Sequence, residues 1–376
     1  MALTAQQQLA LEIIPRITAM MSILGSSFII YEVLKNPKKR VMAYHLQMLA
    51  LSIADFLYST VWIIYNWPAP DSGWCTARGF LGLLTGTPEA MLSVGVCVYY
   101  LFFIYFEWSE EKILRYQRVL IIFPIIWGLI SAIPPLAMGM INPNPVTGWC
   151  WLEPAPAGCT ESECTPDEYY YYLFAFVFVF VPRWISYGVA VISMCFVYYK
   201  VSKDEREQGG QAPAGWLWFV QPEEGRDTSK NKRSRRMARQ AFLYLLNFFL
   251  AYVGTTARSV VEAFDGTVPF GLWCFMYIFL PWQGFWNAII YIRPRYMRNR
   301  EKNPNMSIWQ AFWTEDEEYD HRLGARMMRS SVTGSFFGSI WLRLSGHGQG
   351  QGEGQGTEAE VGGELAQVAE EGNEKA

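Results

Sequence analysis

Val119-Leu-Ile-Ile-Phe-Pro-Ile-Ile-Trp-Gly-Leu-Ile-Ser-Ala-Ile-Pro-Pro-Leu-Ala-Met-Gly-Met-Ile141 contains no charged side chain. A bilayer's hydrocarbon core is about 30 Å thick and takes roughly 20 apolar residues in a helix to cross. Lipid offers backbone N–H and C=O groups no partner outside the chain, so a stretch of this kind must be helical there. Six more stretches reach the same length: Glu12–Leu34, Val41–Trp67, Gly79–Phe106, Tyr169–Tyr199, Gln240–Phe264 and Phe270–Ile292. The last is also uncharged, and most of the others hold one or two charged residues. The chain reads as an all-α membrane protein, a bundle of seven transmembrane helices.

Composition agrees with this reading. Of 376 residues only 17% are charged, against about a quarter in soluble domains, while 51% are hydrophobic. The net charge of -3 says little, because the charges are concentrated between the apolar stretches and in the last residues of the chain.

Short cytoplasmic loops are enriched in Lys and Arg. Lys35 to Arg40 carries Lys35, Lys38, Lys39 and Arg40; the second inner loop holds Lys112, Arg115 and Arg118; the third holds Arg233, Arg235, Arg236 and Arg239. Arg293, Arg295, Arg298 and Arg300 follow the seventh span, whereas Asn142 to Glu168 has five acidic residues and no cation. This bias predicts an N-terminus outside and a C-terminus in the cytosol.

Four segments are expected. Residues 1–11 form a short outer tail without the order of a cleavable signal peptide, and too short for a folded ligand-capturing domain. Residues 12–292 form the helical domain, 293–345 a juxtamembrane amphipathic segment, and 346–376 a tail of Gly, Gln and Glu that cannot bury a core and reads as disordered. In the third segment Trp309, Phe312 and Trp313, then Phe336, Phe337, Ile340 and Trp341, interleave with arginines in a mix suited to a membrane interface. Arg326-Met-Met-Arg-Ser-Ser331 is a possible kinase target, set against the simpler reading of ordinary surface serines.

The cysteines divide by compartment. Cys75, Cys150, Cys159 and Cys164 lie on the outer, oxidising side, while Cys97, Cys195 and Cys274 fall within spans as small apolar filler. The preferred pairing is Cys75 with Cys150 and Cys159 with Cys164, although four cysteines allow three pairings.

Seven spans, an outer-loop cysteine joined to one atop the third helix, and a basic third inner loop resemble a G-protein-coupled receptor. Leu49-Ala-Leu-Ser-Ile-Ala-Asp55 resembles the second helix of such receptors, and Trp127 followed by Pro134-Pro135 the fourth. Gln283-Gly-Phe-Trp-Asn-Ala-Ile-Ile-Tyr291 and Arg239-Gln-Ala-Phe-Leu-Tyr244 are similar to the slime-mould cyclic-AMP receptors, their plant relatives and, more distantly, the secretin receptors. The third span ends Tyr105-Phe-Glu-Trp108 where rhodopsin-like receptors have Asp-Arg-Tyr, and the sixth lacks Cys-Trp-x-Pro. These departures point away from the rhodopsin-like class and toward the cyclic-AMP-receptor-like one.

The resemblance implies a plasma-membrane receptor whose partners are a small extracellular ligand, with a cyclic nucleotide as one candidate, a heterotrimeric G protein and membrane lipid. No cofactor and no nucleic-acid polymer is implied.

Ionisable groups within the bilayer are costly and are candidate functional sites. Asp55, near mid-bilayer, is expected to face Asn287 and, with Tyr291, to form a polar switch; the bland alternative is a packing hydrogen bond. Glu89 and Arg183 each lie about 15 to 20 Å below the outer edge and are expected to pair across the bundle, with a separate water-filled cavity for each as the alternative. Glu89, Arg183, Arg258 and Gln283 are the candidate ligand-binding set. For Arg258 a pair with Glu262 one turn away, and for Arg16 snorkelling to headgroups, explain the charge without a ligand. His45, close to the inner interface, is expected to face headgroups. On the inner side Arg233, Arg235, Arg236 and Arg239 are the candidate coupling residues, with topology signal and lipid contact as the simpler account. Trp216-Leu-Trp-Phe219 in the same loop is an apolar patch without an assigned role.

An enzyme is not expected. The sequence lacks HExxH, GxSxG, Walker and CxxC motifs, and has three histidines, too few and too scattered for a metal site. A retinal pigment would need a lysine in the seventh span, and Phe270 to Ile292 has none. The remaining rival is a small-solute transporter or channel, against which stands the lack of an inverted internal repeat.

Overall fold

The computed structural model describes residues 3–64, 73–143, 148–152, 174–207, 229–264 and 267–314, apart from the side chains at 205, 229–234, 262 and 263. Nine helices and one hairpin appear among them: α1 Ala5–Lys35, α2 Ala43–Ile63, α3 Gly73–Tyr100, α4 Glu110–Ala137, β1 Ile141–Pro143, β2 Cys150–Leu152, α5 Val181–Glu207, α6 Ser229–Phe264, α7 Phe270–Phe279, α8 Gln283–Lys302 and α9 Ile308–Trp313. Six of these, with the π-helical turns that continue α3 to Tyr105 and begin α5 at Phe176, are long and apolar enough to cross a membrane.

Local chemistry sets the ends. α1 starts at Ala5, before the expected Glu12, because Thr4 and Gln7 form a reciprocal capping box: Gln7 N donates to Thr4 Oγ1 and Thr4 N to Gln7 Oε1. Ser109 caps α4, with Glu110 and Glu111 favourably placed in its first turn. Between α3 and α4 the chain turns sharply at Glu107, which has φ 51°.

The seventh crossing, expected as one helix, is two. α7 stops at Phe279, Leu280-Pro281-Trp282 interrupts it, and α8 starts at Gln283. Pro281 carries no N–H and cannot continue the helical ladder. α8 then passes through Pro294 to Lys302, well beyond the expected inner edge at Ile292.

α3 is the central helix, in contact with α2, α4, α5 and α6. Side chains here pack into an inner cluster that includes Leu51, Leu92, Val96, Tyr100, Tyr244 and Ala288, and an outer one that includes Tyr58, Trp62, Phe248, Tyr252, Trp273 and Tyr277. Between lipid-embedded helices the packing itself, rather than water exclusion, holds the interface. α1 and α8 accordingly meet at small residues: a Cβ on Gly25 would lie 2.8 Å from Gly284 O, and one on Gly284 would collide with the hydroxyls of Ser22 and Ser26. Gly128 of α4 meets Pro88 and Leu84 O of α3 in the same way.

The outward face of α4 is Ile122, Phe123, Ile125, Ile126, Leu129, Ile130 and Ile133, all exposed. In water this would be an aggregation-prone patch; in a bilayer it is the lipid-facing surface. At the outer end the hairpin pairs Ile141 with Leu152 and Pro143 with Cys150, and the Cys75–Cys150 disulfide anchors it to the start of α3. Cys159 and Cys164, Trp216–Phe219 and everything after Thr314 lie outside the described residues.

Candidate functional site

A polar layer lies where the inner and outer clusters meet. Asp55 of α2, Glu89 and Ser93 of α3, Asn247 of α6, and Gln283 and Asn287 of α8 are all buried there. Asn287 Nδ2 donates to Asp55 Oδ2 at 2.8 Å, and Asn247 Nδ2 donates to Asn287 Oδ1 at 2.9 Å. Gln283 Nε2 donates to Ser93 Oγ at 2.6 Å, and Ser93 Oγ to the Glu89 carbonyl at 3.0 Å. Four helices are thus joined through side chains, and the expected meeting of Asp55 with Asn287 is present.

The partner of Glu89 is different from the one expected. Its carboxyl faces that of Asp55 and the Tyr252 side chain. Arg183 reaches Thr255 Oγ1 at 3.3 Å and lies over the Tyr252 ring at 5.2 Å. Tyr252 therefore stands between Glu89 and Arg183, where the sequence suggested a direct pair. Two carboxyls face to face at this depth are costly without hydrogen-bond donors or a shared proton between them. Asn287 supplies one such donor. Asp55 and Glu89 lie at a shared depth in adjacent helices, but depth alone does not say which helix faces meet.

Above this layer the aromatic rings thicken. Trp62 stacks on Trp149 at 4.1 Å, Arg78 lies over Trp149 at 4.8 Å, and Arg258 over Trp273 at 4.4 Å. The Glu262 side chain expected beside Arg258 is outside the described residues. Arg16 pairs with Glu12 at 2.8 Å, so an ion pair within α1 accounts for its charge.

At the inner end Tyr291 reaches His45 Nδ1 at 2.9 Å. His45 is thus turned into the bundle, whereas the sequence suggested a position facing headgroups. Three features that hydropathy could not identify brace this end. Glu32, 5% exposed, pairs with Lys39 and Arg295, each at 3.1 Å. Gln47 donates to Leu92 O and accepts from Gln117. Glu110 Oε1 accepts from Ala43 N at 2.6 Å. Arg236 pairs with Glu301 of α8, Arg235 and Arg239 lie on the same inner turns of α6, and the side chain of Arg233 is outside the described residues. α9 packs back through Phe312 and Trp313 onto Phe28, while Trp309 is exposed. No group of three or more His, Cys, Asp and Glu placed to hold a metal ion occurs among the described residues.

The model of the seven-transmembrane receptors of the rhodopsin family matches residues 25–291. The crystal structure of squid rhodopsin superposes with a TM-score of 0.56 at 15% identity, covering 89% of this chain and 94% of that one. At that identity the likeness concerns the fold alone. A search of curated proteins finds no match.

Proposed function

We propose that this chain, which belongs to the rhodopsin family of seven-transmembrane receptors, binds a small extracellular ligand among its helices at the plasma membrane and activates a heterotrimeric G protein from its inner face. The family match across residues 25–291, nearly the whole bundle, carries this reading. It also corrects one expectation: the absence of Asp-Arg-Tyr does not remove the chain from the rhodopsin-like class. Resemblance to the cyclic-AMP receptors rests on the Gln283–Tyr291 and Arg239–Tyr244 segments alone.

For the ligand, two cations in the outer half of the bundle support a ring-bearing anion. Arg183 lies over Tyr252 and Arg258 over Trp273, so each joins a positive charge to an aromatic face. A cyclic nucleotide has that chemistry and is the first compound to test. Glu89 and Gln283, both 1% exposed, act in this reading by linking helices beneath the ligand. Asp55, Asn287 and Tyr291 form the relay toward the inner face, and Arg233, Arg235, Arg236 and Arg239 offer cations to an acidic partner surface.

The test is nucleotide exchange on a purified G protein by the reconstituted chain, with cyclic nucleotides and nutrients as first ligands. Ligand-dependent exchange is the expected result. Solute uptake into the same vesicles without exchange would establish the transporter reading instead.

A further inference from the structure

Arg183 of α5 is a cation inside the bundle with no acid beside it. The lipid side of α5 is marked by the exposed Trp184, Ile185 and Ile192, whereas Ser186, Ala190 and Val197 are buried. Arg183 stands three, seven and fourteen positions before that buried set, so it shares their face, and its half-buried guanidinium opens to the interior. It donates to Thr255 Oγ1 at 3.3 Å and lies over the rings of Tyr252 and Phe180 at 5.2 and 6.0 Å. Among the described residues no carboxylate is within ion-pair distance of it, and Glu89 stands beyond Tyr252.

Two hydroxyls belong to the same place. Tyr187, one turn further along α5, faces Arg183 and the Thr256 side chain of α6, and its ring packs on Phe248 at 4.9 Å. Tyr187 Oη and Thr256 Oγ1 are both buried, and neither makes a well-formed hydrogen bond. Thr255 is satisfied by contrast, since its Oγ1 donates to Tyr252 O at 2.7 Å and accepts from Arg183. That contact uses one of the five N–H groups of the guanidinium. A guanidinium withdrawn from water is costly unless an anion compensates it, and idle buried hydroxyls add to the cost.

We propose that Arg183, Tyr187 and Thr256 form an oxoanion site between α5 and α6, which takes the singly charged group, carboxylate or cyclic phosphodiester, of a ring-bearing acid. The planar fork of arginine meets two oxygens of such a group at once, and each hydroxyl supplies a further donor. The Phe180 and Tyr252 rings flank the site and suit a flat apolar body. One cation neutralises one negative charge, so a phosphomonoester, which carries about two, is a poorer fit. The inference rests on the outer half of the bundle being the ligand site, and it fixes where within that site the ligand's charge lies.

The experiment uses the full chain in lipid nanodiscs and follows its melting temperature. Formate is titrated against gluconate at constant ionic strength, and benzoate, its neutral isostere benzamide, cyclic AMP and AMP are then compared. Formate should stabilise the parent saturably, and benzoate should do so at a concentration on the order of tenfold lower, while benzamide has no effect. Tyr187→Phe and Thr256→Val, which keep the shape, should each weaken the effect on the order of tenfold. Arg183→Gln should abolish it, and Arg16→Gln should leave it unchanged. If Arg183→Gln does not fold, the two hydroxyl variants decide. No anion-specific stabilisation of the parent, an effect that persists in Arg183→Gln and Tyr187→Phe, or AMP acting more strongly than benzoate and cyclic AMP would overturn the site. Nucleotide exchange is measured on the same preparations. An Arg183-dependent anion effect without any exchange would support the site and count against the receptor reading, whereas exchange driven equally in the parent and Arg183→Gln would uphold the receptor reading and overturn the site.

Discussion

Asn287 of α8 donates a hydrogen bond from Nδ2 to Asp55 Oδ2 of α2 at 2.8 Å, across a sequence separation of 232 residues. Both side chains are buried, and Asn287 in turn accepts from Asn247 of α6. Asn287→Ala removes both bonds and deprives the buried Asp55 and Asn247 side chains of that partner. It should cost about 1–3 kcal/mol, read as a lower melting temperature in detergent, with Asp55→Asn costing less because it keeps the shape and one acceptor. Equal melting of Asn287→Ala and the parent would show that the polar layer does not hold the helices together.

The inner clamp around Glu32 gives a second prediction. Glu32 is 5% exposed and serves both Lys39 and Arg295. Glu32→Gln should destabilise by about 1.5–3 kcal/mol. Because the pair is partly shielded from solvent, the loss should persist in high salt, where exposed pairs would be screened. A difference that vanishes in molar salt would mean that the clamp is a surface contact.

Glycine substitutions provide a matched test of packing. Gly25→Leu would drive a side chain into Gly284 O and Phe285 Cα of α8, and should reduce folded protein at the cell surface severalfold. Gly188→Ala has nothing within 4 Å of its new Cβ and should stay within about 0.5 kcal/mol of the parent. Comparable losses at both would remove the α1–α8 crossing as the explanation.

Removal of the outer disulfide is the fourth prediction. Replacing Cys75 and Cys150 together by serine frees the hairpin from α3 and should cost about 2–4 kcal/mol. Changing both avoids leaving a thiol to mispair. A melting curve identical to the parent under oxidising conditions would contradict this.

Arg183 separates stability from recognition. Arg183→Gln loses the contact over Tyr252, worth about 0.5–2 kcal/mol, and in the proposed receptor should shift the agonist dose-response curve to higher concentration by more than that destabilisation explains. An unchanged curve would take Arg183 off the ligand site.

How far the fold could be read in advance depended on what kind of signal each element carried. Val119–Ile141 is plain as a crossing, and the structure places it in α4 as far as Ala137, short of the expected end at Ile141, with an earlier start, since a cap at Ser109 and three basic residues extend the helix beyond its apolar part. Phe270–Ile292 was just as plain as an apolar stretch, yet the interruption at Pro281 needed coordinates. The Cys75–Cys150 bridge was the preferred reading among three possible pairings. Matching depth points to Asp55 with Asn287, whereas opposite charge points from Glu89 to Arg183, and Tyr252 lies between those two.

Hydropathy and the placement of arginine and lysine add up along the chain, and so the crossings, their order and the side each loop faces were written in one dimension. Which side chains meet inside was another matter. A helix turned by one residue about its axis presents a different face, about 100° away, and that rotation is set by packing between helices far apart in sequence. For this reason the facing of Glu89 with Asp55 and the clamp at Glu32 belong to the tertiary structure alone.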